Sequence, residues 1–255
     1  MRNSNQFNVT ARQQRKMTRR QSLLSFVLLV VSLFIAGTSD AAVRTAATLQ
    51  SQQHDHQPVL EQMLRHALFM YATGDYRSAR LELLPLAQQD VIEAQFYLGS
   101  LYDSGLGGGL NSAMAAHWYE RAARNGHVEA QYNMGAAFAN GEGVQHNPVN
   151  AVRWWRKAAD NGSVNAQFNL GIMYLHGNMG VSADPVEAAI WWGKAAEQGD
   201  PVAQYNLGAL YANGEGVSQD IDVAMAWWSR AARQGFQQAI SSMQSFQNYR
   251  ATSPH

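Results

Sequence analysis

Apolar residues in the middle of the chain recur in a frame with a period of about 36 residues. The motif AQFYLG begins at Ala94, AQYNMG at Ala130, AQFNLG at Ala166 and AQYNLG at Ala203. Self-similarity at this period is typical of a solenoid, in which each unit buries its apolar face only against its neighbours. The sequence therefore predicts four repeats, at 94–129, 130–165, 166–202 and 203–238.

Each repeat is predicted to contain two antiparallel helices. In the second copy the apolar residues between Ala130 and Phe138 are spaced as along one stripe of a helix, and the run 151–159 repeats that spacing. Gly141 opens the loop between the two helices, and Gly162 is placed to end the second helix in the left-handed conformation. The extra residue of the third copy falls in the corresponding loop.

Helical segments that lack the full motif flank the four repeats. Residues 58–93 predict a helix pair with a turn at Gly74-Asp75, and residues 239–250 predict one more helix before a polar tail, 251–255. Terminal units of a solenoid are atypical because they cover its open ends. We therefore interpret both segments as caps.

Residues 1–41 have the pattern of an export signal. Basic residues precede Ser22 to Gly37, an apolar run of 16 residues, which is short for a spanning helix of about 20 residues but suits a signal-peptide core. Small residues at Ser39 and Ala41 fit a cleavage site. We expect a signal peptide, a flexible linker at 42–57 and a periplasmic or secreted location. The alternative is an uncleaved inner-membrane signal anchor that holds the repeats outside the cytoplasm.

Charge and composition narrow the function classes. The whole chain has a formal net charge of +0, but residues 1–41 hold six basic residues and one acid, so the remainder carries 13 Lys and Arg against 18 Asp and Glu. A mildly acidic mature protein argues against a nucleic-acid partner. The chain contains no cysteine, so its core forms without disulfides.

The combination of alanine, glycine and aromatic positions resembles the Sel1-like repeat (SLR) family, a relative of the tetratricopeptide repeat. The resemblance covers roughly 94–235 and departs from the pattern in the loops at 105–109 and 177–181. It implies an all-α fold, a right-handed α-solenoid of about four SLR units with terminal capping helices, the first cap being similar to a tetratricopeptide unit. The matching residues are the pairs Leu98-Gly99, Met134-Gly135, Leu170-Gly171 and Leu207-Gly208, the aromatics Tyr102, Phe138, Tyr174 and Tyr211, the Gly-x-Gly-Val loops at Gly141 and Gly214, and the Trp-x-x-Ala-Ala runs.

A second stripe on the first helix of each repeat is the candidate binding surface. Counted from the opening alanine as offset 0, offsets 2, 6 and 9 share a helix face. The resemblance implies that these positions line the concave surface of the solenoid, where an extended peptide or a helix of a partner protein would bind. The alternative for the aromatics at offset 2 is packing between repeats. The predicted partner-binding residues are Phe96, Ser100, Asp103, Tyr132, Ala136, Phe168, Ile172, Leu175, Tyr205 and Ala209.

Adjacent aromatic residues recur in the second helices, at Trp154-Trp155, Trp191-Trp192, Trp227-Trp228 and Trp118-Tyr119. Neighbouring helical residues point about 100° apart, so the two rings of a pair cannot face the same neighbour. We predict that one ring fills the core and that its partner lies at the edge.

No catalytic motif is present, and we predict no enzymatic activity, cofactor or metal site. His54-Asp55-His56 lacks the further ligands of a closed metal site, and the glycine-rich stretch 105–109 has no lysine after it, as a phosphate loop would require. The resemblance implies an exported scaffold or adaptor that binds another protein, in a bacterial cell envelope. The alternatives are binding of cell-wall glycan by exposed aromatics and, as in cysteine-rich members of the family, binding or hydrolysis of β-lactams.

Overall fold

The computed structural model describes residues 58–252, all within an arrangement of helices and turns without strands. The predictions for the signal segment, the cleavage site, the linker and the His-Asp-His stretch fall outside these residues, as does the end of the tail, 253–255. Contacts divide the chain into Met1–Gln62 and Met63–His255. The described part of the first unit is the helical stretch 58–62, and the helical residues from 63 onward belong to the second unit. No helix within 58–252 has the length and apolarity needed to cross a bilayer.

Eleven helices account for most of the described residues. The first, α1, covers 58–73 and begins in the first unit. The others are α2 Tyr76–Gln88, α3 Ile92–Ser104, α4 Ser112–Arg124, α5 Val128–Asn140, α6 Pro148–Asp160, α7 Val164–His176, α8 Pro185–Glu197, α9 Pro201–Asn213, α10 Ile221–Arg233 and α11 Gln237–Thr252.

The helices pack in sequence order. From α2 to α11, each helix contacts the next helix in the chain. The pairs α3–α4, α5–α6, α7–α8 and α9–α10 form four repeats, between the pair α1–α2 and the helix α11. The predicted all-α solenoid is therefore confirmed. Each first helix begins two residues before its motif alanine, and α11 continues to Thr252, beyond the predicted end at 250.

Polar caps fix where the second helices begin. Their N-cap side chains accept a hydrogen bond from a backbone N–H in the first turn, and proline occupies the first helical position of α6 and α8. The first helices end at glycines with left-handed φ values, such as 76° at Gly141, which a glycine adopts without a Cβ penalty. The N-cap residues are Asn111, Asn147, Asp184 and Asp220.

Within a repeat, the two helices meet where an indole ring covers a glycine. A Cβ atom at Gly171 would overlap the Trp192 ring, and Gly135 and Gly208 face Trp155 and Trp228 in the same way. Each of these indole N–H groups also donates a hydrogen bond to a backbone carbonyl of the first helix, at 3.0–3.1 Å. The glycine therefore sets how closely the two helices approach.

The prediction for the tryptophan pairs is confirmed for one ring and partly wrong for the other. Trp155, Trp192 and Trp228 are buried, as expected of the ring that fills the core. The first ring of each pair was expected at the edge, but Trp118 and Trp191 are buried as well. Trp191 belongs to a core cluster with residues of α6 and α7, at the junction of the second and third repeats.

Buried glutamines connect one repeat to the next. Gln131, Gln167 and Gln204 each donate from Nε2 to the carbonyl oxygen of the residue eight positions earlier, at the end of the preceding second helix. Their Oε1 atoms accept a hydrogen bond from the amide side chain that follows their own second helix. Each glutamine thus joins the ends of two successive second helices. Gln95 makes the first bond, but its Oε1 is buried without a partner.

Candidate functional site

Solvent reaches the first helices along a narrow set of positions. The residues at offsets 0, 1, 4, 5 and 7 are buried in all four copies, whereas those at offsets 3, 6, 9 and 10 are half-buried or exposed. We call the surface made by these last four offsets on α3, α5, α7 and α9 the first-helix face. It contains every predicted residue at offsets 6 and 9.

The predicted aromatics at offset 2 lie beside this face and make packing contacts. Phe96 stacks on the His127 ring with centroids 4.2 Å apart, and Tyr205 packs 5.4 Å from Phe236. Phe168 lies 6.4 Å from Trp192 in the same repeat. Tyr132 and the other three rings remain half-buried, so each has both a packing contact and a solvent-accessible edge.

The smaller predicted residues grade from polar to apolar along the chain. Ser100 Oγ lies 3.1 Å from the Tyr71 hydroxyl, and the Asp103 carboxylate accepts a hydrogen bond from the Tyr119 hydroxyl at 3.4 Å. The apolar members Ala136, Ile172, Leu175 and Ala209 are half-buried at the rims of the core clusters. Leu175 contacts two of these clusters and so connects the third repeat to both neighbours.

A row of asparagines on the same face was missed by the sequence reasoning. Asn133, Asn169 and Asn206 occupy offset 3 in α5, α7 and α9, and all three are half-buried. The Asn133 side chain lies near the Tyr119 hydroxyl. The side chains of Asn169 and Asn206 have no hydrogen-bond partner among the side chains described, at 58–248. The signal was present, because the motif reads Ala-Gln-aromatic-Asn in three consecutive copies.

Negative charge lies on the first-helix face at Asp103 and beside it at Glu93 and Glu129, which precede the opening alanines of the first two repeats. Glu93, Asp103 and Glu129 lie on α3 and α5, whereas all eight Lys and Arg residues between 92 and 236 lie on the second helices. The pKa of Asp103 is raised by burial and by the nearby Glu142 charge, and burial also raises the pKa of Tyr119. No group of three or more His, Asp or Glu side chains within 58–252 is arranged to hold a metal ion.

Glu93, His127 and Glu129 form a small titratable cluster at the junction of the first two repeats. His127 Nδ1 accepts the backbone N–H of Ala130 as the N-cap of α5, and its Nε2 lies 3.7 Å from Glu93. Burial lowers the pKa of His127. Burial, and then the Glu129 charge, raises the pKa of Glu93.

The Glu93 shift predicts a pH-dependent effect on stability. A carboxyl group whose pKa is higher in the folded than in the unfolded chain contributes less stability as the pH rises through the folded-state pKa. We therefore expect Glu93→Gln to raise the melting temperature at pH 7, and the gain to shrink as the pH is lowered toward about 4, where the native carboxyl group is also protonated. Melting curves across this range, with Glu197→Gln on α8 as an exposed control, test this. A lower melting temperature for Glu93→Gln at pH 7 contradicts it.

Comparison with known proteins assigns the repeats. The sequence matches the Sel1 repeat at 92–127, 128–163, 164–200 and 201–236, which is more than half of the chain.

A Sel1 repeat protein from Oxalobacter formigenes is 36% identical, with a TM-score of 0.64, over 67% of this chain and 49% of that one. The protein c5321, described as a protective antigen of uropathogenic Escherichia coli strains with an SLR fold, is 29% identical, with a TM-score of 0.67, over 76% of this chain and 42% of its own. The chain thus spans about half or less of these relatives. No curated protein matches it.

Proposed function

Since the chain belongs to the Sel1 repeat family, whose members are generally protein–protein interaction scaffolds, we propose that its first-helix face binds an extended segment of a partner protein. The observation that carries the proposal is the asparagine row. A primary amide presents a donor and an acceptor together, so it can pair with both the N–H and the C=O of a peptide backbone. Three such groups on the first helices of three consecutive repeats suit a chain lying across the repeats.

The asparagines favour an extended peptide over a helix. The backbone groups of a helix are already hydrogen-bonded to one another and have little left to offer Asn169 or Asn206. An extended segment leaves them free, as in other modes of peptide recognition through the backbone. Half-buried Ile172 and Leu175 would then contact apolar side chains of the same segment.

Charge adds a preference at the other end of the face. Glu93, Asp103 and Glu129 lie near the first two repeats without a basic residue on their helices. Burial raises the pKa of Glu93 and of Asp103, so a cation placed beside them would stabilise their charged forms. The partner segment should therefore carry a Lys or Arg side chain at one end and aliphatic residues toward the other.

The location remains that implied by the sequence. An apolar stretch at 22–37 with basic residues before it is typical of exported proteins, and it supports a proposed location in the cell envelope or outside the cell. Glycan binding by tryptophan platforms receives less support, since five of the seven indole rings are buried. The β-lactam alternative has no placed nucleophile to support it.

A peptide-display selection against the full chain tests the proposal directly. We expect the selected peptides to share a basic residue and an aliphatic residue, and to bind Asn169→Ala/Asn206→Ala at least tenfold more weakly. Each backbone hydrogen bond contributes roughly 1 kcal/mol, and two amides can make up to four. Calorimetric titration measures the change in affinity. Affinity capture from envelope extracts with the same two proteins then identifies the natural partner.

The control variant carries Lys157→Gln and Lys194→Gln, which lie on the second helices. It should bind the selected peptides as the native chain does, and both variants must show native helical content and cooperative melting. Equal affinity of the asparagine variant for the selected peptides would exclude the first-helix face as the binding surface.

A further inference from the structure

The second helices present a basic surface that the proposed peptide binding does not use. In α6, Val149, Arg153 and Lys157 follow one another at four-residue spacing, and Val186, Ile190 and Lys194 do the same in α8. Residues at this spacing lie along one side of a helix, and all six are exposed. We call these six residues, together with Arg230 of α10, the second-helix face. Asp160 and Glu197 lie one turn further on and bound it at the helix ends.

One cation in the last turn of each of these helices lies over an indole ring. Lys157 Nζ is 4.6 Å from the centre of the Trp154 ring, Lys194 Nζ is 3.7 Å from Trp191, and Arg230 Cζ is 4.6 Å from Trp227. The attraction of a cation to an aromatic face holds the charged group in place. The stack therefore repeats once per unit over three consecutive repeats.

These cations are not neutralised within the protein. Among residues 58–252, Arg153, Lys157, Lys194 and Arg230 have no carboxylate within salt-bridge distance. The contrast is α4, where Arg121 is paired with Asp90 at 2.7 Å. The second-helix face therefore carries four positive charges without a paired carboxylate, while Asp222 of α10 lies at the position equivalent to Val149 and Val186.

Aliphatic side chains lie beside the charges. Val149, Val186 and Ile190 are 53%, 54% and 47% exposed. A soluble polyanion would match the cations but gain nothing from these groups. A bilayer surface with anionic lipids offers phosphates to the Lys and Arg side chains, a headgroup layer in which tryptophan is favoured, and an apolar boundary for the aliphatics.

We propose that the second-helix face of α6, α8 and α10 docks on a membrane surface rich in anionic phospholipid. Lys157, Lys194 and Arg230 lie against the headgroup phosphates, and Val149, Val186 and Ile190 insert at the boundary with the acyl chains. This docking leaves the first helices, on the other layer of the solenoid, available to a protein partner. It goes beyond the proposed peptide binding and does not depend on it.

Tryptophan emission provides a specific test in the full chain. All seven tryptophans lie on second helices between 118 and 228, so quenching reports this surface and not residues 1–57. The protein is mixed with vesicles that contain either brominated phosphatidylglycerol or brominated phosphatidylcholine at equal bromine content. We expect strong quenching by the anionic lipid only, and its decline in about 0.5 M salt, where screening is effective within a few Å.

Matched variants separate this surface from overall charge. Lys157→Gln/Lys194→Gln should lose at least half of the quenching. Asn165→Asp/Asn213→Asp, at exposed positions of the first helices, changes the net charge equally and should keep it. Equal quenching by both lipids, or unchanged quenching in the lysine variant, overturns the proposal. So does retention on immobilised inorganic polyphosphate without quenching by either vesicle, since that result identifies a soluble polyanion as the ligand.

Discussion

Trp192→Ala should lower the free energy of unfolding by about 3–5 kcal/mol, which is typical of removing a large buried aromatic side chain. The ring is 4% exposed and belongs to the core cluster shared by α8 and α9. It covers Gly171 of α7, and its N–H donates to the Phe168 carbonyl oxygen at 3.1 Å. Truncation therefore opens a cavity at the junction of three helices and removes a hydrogen bond. Urea denaturation followed by circular dichroism measures the loss.

Two further variants divide that loss into its parts. Trp192→Phe keeps most of the apolar volume and removes only the N–H group, so we expect a smaller loss, of about 0.5–1.5 kcal/mol for one hydrogen bond. Trp154→Ala removes a half-buried ring and should cost less than Trp192→Ala. If the Trp192 and Trp154 truncations cost the same, the ring that covers the glycine is not the main support of the repeat.

Gly171→Ala should destabilise the protein by about 1–3 kcal/mol, the usual effect of overfilling a packed core. In an ordinary helix the same change is favourable, because alanine exceeds glycine in helix propensity by about 1 kcal/mol. Here the new Cβ overlaps the five-membered part of the Trp192 indole, which cannot retreat without losing its bond to Phe168. The steric term therefore outweighs the propensity term.

The chain contains its own control for this substitution. Gly193 lies inside α8, and a Cβ atom there would have no neighbour within 4 Å. Gly193→Ala should stabilise the protein by about 0.5–1 kcal/mol from propensity alone. Thermal melting of the two variants gives shifts of opposite sign if the ring contact sets the helix spacing. Shifts of the same sign would show that it does not.

Much of the architecture could be predicted because it is encoded locally and repeated. The spacing from Ala130 to Phe138 defines a helix without any tertiary information, and the glycines at 141 and 162 end the helices where the structure ends them. The burial of both rings at Trp191-Trp192 could not be derived in this way. It depends on the packing of Trp191 against residues of α6 and α7 that lie far from it in sequence.

The candidate site was harder to predict than the fold. Phase counting along the first helix identified offsets 6 and 9, but it gave no means of distinguishing offset 2 from offset 3. The structure packs the aromatics of offset 2, such as Phe96, against neighbouring rings, and Asn169 and Asn206 have no hydrogen-bond partner for their side chains among residues 58–248. The basic second-helix face was also missed, because a net charge conceals the segregation of Lys and Arg onto alternate helices.

The buried glutamines make the junctions between repeats interchangeable. Gln131, Gln167 and Gln204 use the same two hydrogen bonds to join one unit to the next, so a gene duplication that adds a whole unit creates no new kind of junction. Such a protein can lengthen in evolution without redesigning its core. The unpartnered Oε1 of Gln95 lies where this uniform series of repeats meets the pair α1–α2, which lacks the repeat motif. A unit inserted at that point would need a different set of contacts at its junction.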